Sequence, residues 1–159
     1  MMDIPIGCVN GREIGELSDF VRKIISDTSY YNQIAKTEES KKFEPEKIRL
    51  KIKENANMYI VAKQNGKIVG FCEGYFDAGT FRAEWMGVQK TFRNKGIAEK
   101  LIVFLEKELN KYSVHKIWGD SRTNNKESAA LLKKLGYEKI AMLEKQWYGQ
   151  DFYLWQKFI

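Results

Sequence analysis

The chain has 159 residues, a length that suits one domain with its own core. Hydrophobic residues make up 43% and charged residues 30%, a globular balance, and no apolar run reaches membrane-spanning length. The net charge is +6, but the basic pairs Arg22-Lys23, Lys41-Lys42 and Lys133-Lys134 are scattered and do not interleave with aromatics, which argues against a nucleic-acid surface.

Ile4 to Val9 is a short apolar run and reads as the first strand. Asn10 can cap a helix, with Glu13 three residues on in a capping-box arrangement. Ile14, Leu17, Val21, Ile24 and Ile25 then recur at helical spacing. Ser29 to Phe43 is polar and aromatic without a clear period, a loop or short helix. Glu44-Pro45-Glu46 opens another helix that runs to about Asn55, because proline and acidic residues suit a first turn. Strands follow at Asn57 to Lys63, Lys67 to Phe76 and Thr80 to Val88, joined by the turns Gln64-Asn65-Gly66 and Asp77-Ala78-Gly79. Ile97, Leu101, Phe104, Leu105 and Leu109 line one face of a helix reaching Lys111. Val114 to Gly119 is a strand, and Asn124 or Asn125 caps a helix that Gly136 ends. Tyr137 to Glu144 and Asp151 to Phe158 are the last strands. The strand–helix–strand unit over residues 83 to 119 implies a parallel crossover. The expected fold class is α/β: one mixed, mostly antiparallel twisted sheet, helices on both faces, and that parallel unit at its centre.

The chemistry concentrates between the third of these strands and the helix that follows. Arg93-Asn94-Lys95-Gly96-Ile97-Ala98 is a basic, glycine-containing turn that opens a helix. The first N–H groups of a helix have no internal partner, and the helix dipole adds positive charge there. Such a turn suits a pyrophosphate. It lacks the Lys-Ser/Thr pair that ends a P-loop and the three glycines of a dinucleotide fingerprint. Cys8, Cys72 and the lone histidine show no metal-ligand spacing and fit a reducing cytoplasm, and Met1 to Asn10 shows no secretory pattern.

Arg93, Gly96 and Ala98 match R/Q-x-x-G-x-G/A, a pattern that resembles the acetyl-CoA loop of the GNAT superfamily of N-acetyltransferases. Val88 and Phe92 stand where that family places a strand-ending valine and an aromatic. Asn125, Ser128, Ala129, Ala130 and Leu131, then Leu135-Gly136-Tyr137, resemble its next motif. The resemblance covers roughly residues 57 to 158, the cofactor-binding core of a single domain over 1–159, and leaves 1–56 as the substrate side. It implies that acetyl-CoA is the cofactor. Met86, Gly87 and Val88 would offer backbone groups to its pantetheine arm. Arg93, Asn94, Lys95, Gly96, Ile97 and Ala98 would cradle its pyrophosphate, and Asn125 with Ser128 would meet the arm from the other side. The Val88 amide would hold the thioester oxygen.

The resemblance also implies an amine acceptor and a base to deprotonate it. Asp120, at the end of its strand, and Glu84, before the cofactor loop, are the candidates, with Glu73 a rival. The family's tyrosine, seven residues after the asparagine and so about two helical turns along the same face, is here Leu132. Another phenol, Tyr137, Tyr148 or Tyr153, would then protonate the leaving sulfur, or a thiol of pKa about 8.5 would leave unassisted; Tyr153 is taken as the candidate. The aromatic stretch Trp147 to Trp155 and the pair Tyr30-Tyr31 read either as acceptor-site walls or as plain core. The acceptor would be a protein or peptide amine, or else a polyamine or aminoglycoside; a non-catalytic acyl-CoA sensor is the alternative that Leu132 suggests. Homodimers are common in the family, though the sequence marks no interface.

Overall fold

The computed structural model describes residues 3–159; Met1 and Met2, the start of the segment read as lacking a leader, lie outside them. The elements run β1 (Ile6–Cys8), α1 (Ile14–Asp27), α2 (Gln33–Lys41), α3 (Pro45–Lys53), β2 (Asn57–Gln64), β3 (Lys67–Asp77), β4 (Thr80–Val88), a 3-10 turn (Lys90–Phe92), α4 (Ile97–Leu109), β5 (Lys116–Arg122), α5 (Lys126–Lys134), β6 (Glu138–Trp147) and β7 (Gln150–Phe158). They build one seven-stranded sheet of order β1-β2-β3-β4-β5-β7-β6, in which only β4 and β5 run parallel. This is the expected mixed sheet with its crossover through α4. Among the described residues no helix is long and apolar enough to cross a membrane.

Two apolar clusters cover the two faces. On one, α4 and α5 bring Leu101, Leu105, Leu109 and Leu131 against Ile60, Phe81, Ile117 and Trp155. On the other, α1 and α3 set Leu17, Val21 and Ile48 against Tyr59, Val61 and Phe71. Both hairpin turns read from the sequence place two successive residues at positive φ, Asn65-Gly66 and Ala78-Gly79, as tight hairpins require. The start of α1 differs from expectation. Asn10 and Glu13 do bond reciprocally, Glu13 accepting from the Asn10 amide at 3.0 Å, but they close a turn and the helix begins at Ile14. The segment left between loop and helix contains α2, whose only buried residues are Ala35 and Glu39.

The feature that positions the site is the divergence of β4 and β5. Their register covers Thr80–Ala83 against Lys116–Gly119 and stops there, while β4 continues to Val88 and β5 to Arg122. The strands touch closely at the last pair: a Cβ on Gly119 would lie 2.6 Å from the Ala83 carbonyl oxygen. Beyond it a wedge opens through the sheet.

Candidate active site

One wall of the wedge is the end of β4. The Gln89 amide donates to the Val69 carbonyl at 2.8 Å, which makes Gly70–Val88 a non-hydrogen-bonded antiparallel pair. The amides and carbonyls of Val88 and, by alternation, Met86 therefore turn away from β3 and face the wedge. Gly87 exchanges its bonds with Phe71 and contributes no main-chain group; its lack of a side chain is needed, since a Cβ there would meet Ile24 at 2.6 Å. The turn 93–98 follows β4 and the 3-10 turn and opens α4. Asn94 and Gly96 are both left-handed, φ 59° and 74°, so the chain coils tightly before α4. Nothing lies within 4 Å of a Cβ placed on Gly96, which leaves its outer side open to an anion. The basic side chains brace the loop: Arg93 Nε donates to the Val88 carbonyl at 3.1 Å, and Lys95 Nζ rests 5.1 Å from the Phe92 ring centroid. Asn125, which follows β5, caps α5 by accepting from the Ser128 amide at 3.1 Å. The structure thus brings together the strand end, the loop and the capped helix, a set whose main-chain donors fit a pyrophosphate and an amide-bearing arm.

On the α1–α3 side of the sheet lies a cavity of about 110 Å³ lined by Arg82, Glu84, Trp85, Asp120, Glu39 and Tyr148, among others. A β-bulge explains three of these. Glu73 opposes Trp85 and Gly74 opposes Ala83, so Glu84 is the extra residue on β4. The bulge turns Glu84 and Trp85 to the same face as Arg82, while Met86 and Val88 return to the α4 face. Asp120 projects from β5 to meet them. The cavity holds three carboxylates and two cations, and the aromatic rings of Tyr31, Trp85, Trp147, Tyr148 and Phe152 surround these charges. Its roof joins the α1–α2 loop to the β6–β7 turn: Asn32 Nδ2 donates to the Tyr148 carbonyl at 2.9 Å, and Gln150 Nε2 to the Tyr30 carbonyl at 3.2 Å.

The four carboxylates near the wedge differ in their readiness to take a proton. Burial pushes Asp120 up to about 6, against the opposing charge of Arg82 3.3 Å away. Burial also acts upward on Glu39, but bonds from Tyr148 (2.5 Å), Trp85 Nε1 (2.9 Å) and Lys42 (2.9 Å) outweigh it and hold its carboxyl below the usual range. Glu73 is raised to about 8 by burial and by the charge of Glu84. Glu84 lies 3.9 Å from Lys42 and is nearly buried. The phenols separate as well. Tyr148 lines the cavity but donates to Glu39, Tyr137 donates to Glu106 on α4 at 3.0 Å, and Tyr153 lies on the α4–α5 face beside Trp155 and Lys139. Leu132 packs into the α5 contact with the core.

Sequence reasoning missed Glu39, Lys42 and Arg82. Glu39 and Lys42 lie in or beside a helix too polar to show a period. Arg82 had a usable signal: with Glu84 it puts two charges two residues apart in an otherwise apolar strand.

An acetyltransferase, ECA0875, from Pectobacterium atrosepticum is 36% identical over 93 residues, 58% of this chain and 66% of the relative, so the match spans just under two thirds of that protein. The PaiA N-acetyltransferase from Thermoplasma acidophilum, crystallised with coenzyme A, superposes with a TM-score of 0.81 at 16% identity, covering 99% of this chain and all of the other. A ribosomal-protein-alanine N-acetyltransferase from Brucella melitensis superposes at 0.78 with 18% identity, covering 98% and 99%. A profile of the acetyltransferase (GNAT) family matches residues 20–137, and the chain belongs to that family.

Proposed function

We propose that this chain moves the acetyl group of acetyl-CoA directly to a primary amine, that of a protein or peptide, in a ternary complex. The observation that carries the reading is the wedge, with the Met86 and Val88 amides on one wall and Asp120 on the other. Acetyl-CoA supplies an acetyl thioester. Residues Arg93 to Ala98 would hold its pyrophosphate, and Met86, Val88, Asn125 and Ser128 its arm.

The acceptor would enter from the opposite face, where an excess carboxylate and the aromatic rings favour an ammonium. An α-amine has a pKa of about 8 and a lysine-type amine about 10.4, so a proton must leave before attack. Asp120, ionised above about pH 6, takes it; a carboxylate with a raised proton affinity is better matched to an amine than an ordinary one. Glu84 stands by as the second carboxylate. The Val88 amide donates to the carbonyl oxygen as charge develops. Tyr153, on the α4–α5 face with Tyr137 but without that residue's bond to Glu106, would protonate the sulfur.

The roofed cavity favours a second reading, a small free amine, since about 110 Å³ admits little beyond one residue. Thiol release from acetyl-CoA, measured with polyamines, aminoglycosides, amino acids, peptides with free α-amines and α-blocked peptides with lysines, separates the two. Turnover on α-amine peptides supports the first reading, and turnover confined to free small amines replaces it with the second. Binding without turnover on any acceptor refutes both.

A further inference from the structure

The guanidinium of Arg82 is held from four directions. Across the sheet it lies in register between Tyr75 on β3 and Trp118 on β5. The Tyr75 hydroxyl accepts from Nη1 at 3.1 Å. Its Cζ lies 5.0 Å from the Trp118 ring centroid, 5.0 Å from that of Trp147 and 5.9 Å from that of Tyr75. Nη2 then reaches Asp120 Oδ2 at 3.3 Å. Three aromatic rings, one of them also bonding through its hydroxyl, is a costly setting for one surface ion pair, and the pair is not at the surface: the Asp120 side chain is 10% exposed and that of Arg82 17%.

We propose that Arg82 is the positioning residue of the transfer: its clamped guanidinium keeps Asp120 charged and aimed into the acceptor cavity. The proposal rests on the reading of Asp120 as the proton acceptor. The other groups around Asp120 make the need plain. Glu84 on β4 and Glu39 on α2 are negative, the Tyr31 hydroxyl is buried beside it, and Lys42 is engaged by Glu39 and Glu84. Arg122, on the same strand as Asp120, donates to the Tyr30 carbonyl and stacks on Phe152 at 5.3 Å. Arg82 is therefore the cation in contact with Asp120. Lysine would not replace it, because only a planar fork can lie among the rings and bond Tyr75 and Asp120 together.

The test is the pH dependence of kcat/KM with one fixed acceptor, in the wild type, Arg82→Lys, Arg82→Met and Asp120→Asn. Coenzyme A binding by calorimetry checks that each variant is folded. The acid limb is expected to move up by a pH unit or more in Arg82→Met, with a twofold or larger loss at pH 7 that shrinks toward pH 9. Arg82→Lys should fall between the two. A folded Arg82→Met or Arg82→Lys variant with an unmoved limb overturns the proposal. An unmoved limb in Asp120→Asn instead overturns the reading of Asp120, and so the two failures are distinguishable.

Discussion

Gly119→Ala tests the closeness of β4 and β5 at the apex of the wedge. The new Cβ would sit 2.6 Å from the Ala83 carbonyl oxygen, whereas real Cβ atoms essentially never come within 3.0 Å of a neighbour. The obstacle is backbone, so no side chain can rotate away; β4 and β5 must part by about 0.4 Å or more at their last paired residues. Overpacking of this kind costs about 1–3 kcal/mol, and a main-chain clash belongs in the upper half of that range. For a domain of this size each kcal/mol lowers Tm by about 2–4 °C, so a fall of roughly 5–10 °C is expected. Thermal and urea denaturation measure it, with Gly11→Ala as a control, since a Cβ there meets nothing within 4 Å. A Gly119→Ala protein as stable as that control would refute the close contact, and with it the geometry from which the wedge opens.

Gly96→Asp should weaken coenzyme A binding at least tenfold by calorimetry, because it puts a carboxylate beside the pyrophosphate loop; its left-handed φ of 74° adds a fold cost of about 1 kcal/mol. Glu73→Gln should make stability less dependent on pH. The folded carboxyl is raised to about 8, so below about pH 4.5 it is protonated in both states and costs nothing. Between those values the unfolded chain ionises first, and stability falls by up to about 1.4 kcal/mol per pH unit. The urea midpoint of the variant should exceed that of the wild type more at pH 8.5 than at pH 5, and an equal difference at both would remove the buried charge from the account. Gln150→Ala removes the bond to the Tyr30 carbonyl, and the acceptor preference should broaden toward bulkier amines, read as a severalfold drop in their KM relative to a slender one. An unchanged ratio would mean that the roof does not select.

Much of the fold was legible because the elements announce themselves. The apolar period of α4, the three hairpin strands and the glycine-marked turns sit within a residue or two of their expected places. The turn 93–98 was legible for a related reason: it enters α4 through a glycine at positive φ, which leaves a mark in the sequence. The acceptor side was not. The helix α2 places Glu39 in the cavity, yet its burial involves only Ala35 and Glu39, too few for a period. The strand β5 runs through Arg122, beyond its expected end at Gly119, because Asp120 turns its carboxylate into the cavity and Arg122 bonds the Tyr30 carbonyl, polar positions that composition reads as solvent. The bulge at Glu84 broke the alternation that a regular strand would have shown.

The outward turn of the Met86 and Val88 amides has a consequence for how such a protein can diverge. On the proposed reading, cofactor recognition on β4 would rest on main-chain amides that every residue except proline possesses, so most side-chain replacements there would leave it unchanged. On the same reading, acceptor recognition would rest on the side chains of Arg82, Glu84, Asp120 and Glu39, any of which one codon change can alter. The two halves of the reaction would then be inherited under unequal constraint: a lineage could exchange its acceptor many times while the same unlabelled stretch of main chain went on receiving the same thioester.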